Sequence, residues 1–159
     1  MKIKIICVGK LKEKYLIDGV NEYLKRLQGY CNVEIYEVSD EKIPYHPSLA
    51  DETLVKVKEG RRVLDKVKQD DYMILLDLKG ENPDSIEFAR KIEDCMINGK
   101  SSLAFVIGGS LGHCEEVYDR ANYKVSFSEL TFPHQLMRLI LVEQIYRAFK
   151  IINNEPYHK

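Results

Sequence analysis

The chain has 159 residues, of which 45% are hydrophobic and 31% charged. That balance excludes a disordered polyelectrolyte and a bilayer-resident protein, and predicts one soluble domain over 1–159. With 24 Lys and Arg against 25 Asp and Glu, no global positive field draws polyanions, so a nucleic-acid partner must be held by a local site.

The charge is uneven. Residues 1–30 carry seven basic and three acidic side chains, and residues 31–60 carry three and seven. The N-terminal segment reads as a modest basic patch or as an ordinary solvated lysine face. Cys7, Cys31, Cys95 and Cys114 form no C-x-x-C and have no paired His spacing nearby, so they read as reduced, mostly buried thiols without a metal. The apolar run Ile5–Val8 is too short for a signal-peptide core or a membrane span. The expected compartment is the cytoplasm, with no membrane partner.

Lys2–Val8 alternates and then turns wholly apolar, as a strand entering a sheet does, and Gly9 ends it. From Leu11 to Leu27 the apolar residues fall at three- and four-residue steps, which predicts a helix with one buried face, stopped by Gly29. Asn32–Val38 alternates again and reads as a second strand. A loop with Pro44 and Pro47 follows. Leu49–Lys68 is a charged helix with a stripe of Leu54, Val57, Val63, Leu64 and Val67, interrupted by Gly60. Tyr72–Leu78 reads as a strand covered on both faces. Asp84 caps a helix from Ser85 to about Asn98, with Glu87 completing a capping box. Leu103–Ile107 is another buried strand, followed at once by Gly108-Gly109-Ser110-Leu111-Gly112. Glu115–Arg120 is a short helix and Tyr123–Phe127 a last strand. Pro133 opens, as its first residue, a helix running to about Ile152.

Strands alternating with helices predict an α/β domain, a mainly parallel sheet flanked by helices, in which ligands sit at the carboxyl ends of the strands. The ends at Leu78, Ile107 and Phe127 are therefore the places to seek chemistry. The loop at Gly108–Gly112 lets backbone amides approach a ligand, although a glycine turn after a strand is by itself often only a tight turn. Its G-G-x-x-G spacing is not the dinucleotide fingerprint, which disfavours a nicotinamide enzyme.

The last helix is apolar around most of its circumference. At about 100° per residue, Glu143, Arg147 and Lys150 form one narrow polar stripe, with Glu143 and Arg147 spaced as an i,i+4 pair. A helix of this kind is buried on two sides. Either the chain wraps it or a second copy covers it, and the small size of the domain favours a homodimer. His134 and Arg138 lie in apolar territory. They read either as a helix start with a snorkelling Arg or as cations at the mouth of the ligand rim. The end, Asn153–Lys159, reads either as a frayed terminus or as an element offering an aromatic ring, an imidazole and an ammonium group to RNA.

The run Ser126–Gln135 continuing through Arg138, the segment Glu143–Ala148 and the end Pro156-Tyr157-His158-Lys159 resemble the small single-domain RNA methyltransferases of the SPOUT, or α/β-knot, family. Val8-Gly9-Lys10, Leu76-Asp77 and the G-G-x-x-G loop resemble them too, so the likeness covers the whole chain. It implies a SPOUT fold with a C-terminal trefoil knot, a homodimer, S-adenosylmethionine as methyl donor and no metal. The implied reaction is methylation of N3 of a pseudouridine in a stem-loop of 23S rRNA within the assembled ribosome, with no role for DNA.

The implied donor site is Leu76, then Gly108, Gly109 and Gly112, then Phe127, Ser128, Glu129, Leu130, Thr131 and Phe132. No role is assigned to Leu111 or His113. On the substrate side, Tyr157 is the candidate for base contact and His158 for proton acceptance or phosphate binding, both completing the site of the partner subunit. Arg138, Glu143 and Arg147 are candidates for orienting substrate or supporting the tail, and Glu143 with Arg147 is equally a structural ion pair. The alternatives are a SPOUT enzyme acting on tRNA and a non-catalytic, ribosome-associated RNA-binding protein.

Overall fold

Side-chain alternation or a short, wholly apolar run makes the strands, and three- to four-residue apolar spacing makes the helices. In the computed structural model, which describes Met1–Lys159, the first half of the chain gives β1 (Lys2–Val8), α1 (Lys14–Leu27), β2 (Asn32–Val38) and α2 (Leu49–Leu64). The second half gives β3 (Tyr72–Glu81), α3 (Ser85–Ile97), β4 (Ser102–Ile107), α4 (Glu115–Arg120), β5 (Tyr123–Val125) and α5 (His134–Ile152). The five strands form one sheet in the order β2-β1-β4-β3-β5, and every neighbouring pair is parallel. Both faces are covered. Ile3, Ile5, Cys7, Phe105 and Ile107 join α1, α3 and α5 in the larger core, while Ile6, Val8, Met73 and Val106 join α2 and α4 in the smaller one.

Several element ends differ from the sequence expectation, each for a tertiary reason. α1 starts at Lys14 and not at Leu11, because the Glu37 carboxylate binds the Leu11 amide at 2.7 Å and the Gln135 side chain binds that of Lys12. α2 stops at Leu64 and not at Lys68, where the Lys68 amide donates to Asp71 and the Lys68 carbonyl accepts from Arg120. Val55, Glu59 and Gly60 face inward on α2 while Leu54 is 53% exposed. A methyl group at Gly60 would strike Cys114 Sγ, so the glycine sets how closely α2 and α4 approach.

β3 continues to Glu81 with an irregularity, since both Leu76 and Glu81 pair with Val125. Gly80 allows this, because the backbone of Val125 lies 2.6 Å from where its Cβ would be. β5 ends at Val125 and not at Phe127. Its successor, Ser126, turns the chain by bonding the Ser128 carbonyl, and Phe127 then packs edge-on against Phe88 at 5.3 Å. Pro133 is the N-cap of α5 and not its first residue; its extended backbone precedes the helix, and its carbonyl accepts from Met137. Lys4 is buried despite the strand's alternation, because Asp71 meets it at 2.6 Å.

Candidate active site

Three segments meet at the carboxyl edge of the sheet: the stretch of β3 just past its pairing with β4, the loop after β4 and the segment after β5. Between them lies a cleft of about 650 Å³. Leu76, Gly108, Gly109 and Gly112 line two of its walls, and Phe127, Ser128, Leu130, Thr131 and Phe132 line the third. Glu129 is exposed and lies outside the lining. No Lys or Arg borders the cleft, and its one carboxylate, Asp77, accepts the Tyr118 hydroxyl at 3.1 Å. The lining is therefore apolar and backbone-rich, and lacks the cations a polyphosphate would require.

The glycines have reasons beyond ligand approach. A Cβ at Gly108 would sit 2.5 Å from Cε1 of His113, so the imidazole occupies the space a side chain would need. A Cβ at Gly109 would meet a Glu59 carboxylate oxygen at 2.8 Å. Gly112 is different: open space surrounds it, but its φ of +88° selects glycine. Burial pushes the Glu59 carboxyl up from its ordinary value, against the opposing bond it accepts from the Glu41 amide at 3.0 Å. Burial also lowers the basicity of His113, whose Nε2 lies 3.0 Å from the Leu76 carbonyl.

Arg138 is only 2% exposed and does not line the cleft. Its guanidinium donates to Glu37 at 2.6 Å and to the Gly9 carbonyl at 3.2 Å, which ties α5 to the carboxyl ends of β1 and β2. Burial opposes ionisation of Glu37, but the bonds from Arg138 and Leu11 outweigh it and hold the carboxyl below its usual range. In this geometry Arg138 is a buried clamp, neither a snorkelling side chain with its head in water nor part of the cleft lining.

The remaining substrate-side candidates gather on α5. Glu143 accepts from Arg147 at 2.6 Å and from the Tyr157 hydroxyl at 3.0 Å, and the Arg147 guanidinium lies 4.8 Å from the Tyr157 ring centroid. Tyr157 also packs edge-on against Tyr146 at 4.9 Å. The tail thus folds back on its own α5. Burial, then hydrogen bonding to Tyr23 and Glu143, pushes the Tyr157 phenol well above its ordinary value, so it remains a neutral donor.

Arg147 Nη1 lies 3.3 Å from Nδ1 of His158. Arginine can only donate, so Nδ1 accepts and Nε2 carries the hydrogen of the neutral ring. His158 lines a second groove of about 430 Å³ together with Gln144, Ser85 and Phe127, and Phe127 is the residue this groove shares with the cleft.

Sequence reasoning missed Glu37, Glu59 and Tyr118, noted Asp77 only beside Leu76 at a strand end, and left His113 without a role. Nothing in their local pattern marks them, since each acts on a residue remote in the chain. No three His, Cys, Asp or Glu side chains gather as a metal site requires, and no helix is long and apolar enough to cross a membrane.

A parallel sheet with a loop-built cleft at its carboxyl edge is the setting of a nucleotide-derived ligand, and comparison with known proteins gives the class. Residues 1–158 match the family described as "Predicted SPOUT methyltransferase". The chain belongs to the SPOUT methyltransferase family and is a methyltransferase. Within that class it is similar to proteins named ribosomal RNA large subunit methyltransferase H. The one from Enterococcus faecalis is 57% identical, that from Clostridium novyi 58% and that from Clostridium botulinum strain Kyoto 55%, each over 159 residues covering 100% of both chains.

Proposed function

We propose that the chain methylates large-subunit ribosomal RNA, transferring the methyl group of S-adenosylmethionine to N3 of a pseudouridine in assembled ribosomes. The observation that carries the donor assignment is the chemistry of the cleft. Walls free of Lys and Arg, with one carboxylate nearby, tolerate a sulfonium cation and give no grip on a polyphosphate. The names of the relatives support the RNA class. The bound donor supplies an electrophilic methyl on a positively charged sulfur.

The chain's own part is alignment and proton handling. Apolar side chains of Leu76, Phe127 and Phe132 exclude water, and the backbone of Gly108–Gly112 offers hydrogen bonds. Tyr157 presents a ring face to the base. The His158 Nε2–H is a donor for a base oxygen or phosphate, and the ring accepts the N3 proton only once Nδ1 leaves Arg147. Glu143 and Arg147 hold both tail residues in place.

The working unit in this proposal is a homodimer. Leu136, Met137 and Ile140 on α5 stay partly exposed in the single chain, and the tail cluster lies outside the chain's own cleft, so a second copy would both cover the helix and receive the tail. A ribosomal substrate places the enzyme in the cytoplasm.

The test is incubation with labelled S-adenosylmethionine and, separately, assembled ribosomes, free 23S rRNA and tRNA. Label in ribosomes alone is expected, and label in tRNA alone would overturn the substrate assignment. Calorimetry with the donor separates the enzyme from a non-catalytic RNA binder, which would show no heat of binding.

A further inference from the structure

We propose that His113 is a positioning residue that fastens two walls of the cleft together, the stretch of β3 just past its pairing with β4 and the loop after β4; its bearing on donor affinity rests on the donor reading above. The Leu76 carbonyl can only accept, so the 3.0 Å contact requires the hydrogen on Nε2 and leaves Nδ1 bare. The ring has no freedom to turn away. Its face lies against Gly108, where every ring atom nearest the absent Cβ is within 3.0 Å of that position. On another side the Tyr118 ring packs against it edge-on, at 5.8 Å and 87°.

Tyr118 is in turn bonded to Asp77, so the Leu76 carbonyl and the Asp77 carboxylate, adjacent in β3 just past its pairing with β4, are both held from the loop and α4. His113 and Leu76 are 37 residues apart and both line the cleft. Burial keeps the imidazole neutral, in agreement with one protonated nitrogen. The imidazole thus sets the spacing between the wall at Leu76 and the wall at Gly108, and with it the width of the donor site.

The test combines nitrogen-15 NMR of the imidazoles in the full-length protein with calorimetry of S-adenosylmethionine binding to wild type, His113→Leu and His113→Gln. The expected spectrum at neutral pH shows a neutral ring protonated at Nε2. The Leu variant leaves the Leu76 carbonyl without its donor and is expected to bind about tenfold more weakly. The Gln variant places an amide N–H near the former Nε2 and is expected to recover most of that loss, which a merely space-filling role would not produce. A ring protonated at Nδ1, a Leu variant with wild-type affinity, or a Gln variant no better than Leu would overturn the proposal. Should the Leu variant fail to fold, the spectrum and the Gln variant decide. A wild type that ignores the donor would refute the donor reading itself, and the imidazole spectrum would still decide whether His113 fastens the walls.

Discussion

Replacing Gly108 by Ala puts a methyl carbon 2.5 Å from Cε1, 2.8 Å from Nδ1 and 3.0 Å from Nε2 of His113. Carbon atoms prefer about 3.5 Å or more, so the ring or the loop must retreat by about 1 Å. The ring is held by Leu76 on one side and Tyr118 on another, and moving it breaks the 3.0 Å hydrogen bond. Overpacking of this kind costs about 1–3 kcal/mol, and about 2 kcal/mol corresponds to a fall in Tm of about 4–8 °C for a chain of this size. The same substitution in a His113→Ala background meets no ring and is expected to cost under about 0.5 kcal/mol. Urea unfolding of the four proteins in this double-mutant cycle should therefore give a coupling of about 1–2 kcal/mol between the two positions. Strictly additive costs would refute the claim that the glycine exists to seat the imidazole.

His158→Ala is expected to keep donor affinity by calorimetry and lose most turnover on ribosomes, because His158 lies outside the cleft lining; equal loss of donor binding would count against that division. Glu59→Gln is expected to be at least as stable as wild type at neutral pH. Burial raises the Glu59 pKa above its ordinary value near 4.5, so the folded state binds more protons and stability falls as pH rises from that value upward. The advantage of the Gln variant must therefore shrink on acidification from neutral pH toward that value and stay level below it, as followed by thermal melting across pH; a pH-independent difference contradicts the assignment. Ile140→Lys is expected to leave the chain folded and shift it to a monomer in sedimentation, with loss of turnover, because α5 is the helix proposed to be covered by a second copy. A dimer of unchanged strength would relocate the interface.

Much of the architecture was legible along the chain. The Asp84–Glu87 capping box, the wholly apolar strand at 103–107 and the strand-helix alternation each depend on residues within a few positions of one another, and each appears in the structure. The location of the cleft was legible as well, since parallel strands direct their loops to one edge. The Glu143–Arg147 pair was legible from its four-residue spacing. Arg138 was not, because its partner Glu37 is 101 residues away on the edge strand β2. The true end of β5 was hidden for the same reason, being set by Ser126 against Glu81 and Ser128.

By itself the amino-acid order determined the succession of strands and helices, the cap of α3 and which edge of the sheet carries the loops, because those properties follow from the local geometry of the backbone. Only the tertiary structure decided which donor meets which acceptor: His113 with Leu76, Arg138 with Glu37, Tyr157 with Glu143. Hydrogen bonds and steric contacts act over about 3 Å, and no periodicity along a chain specifies which remote side chains arrive within that distance of one another.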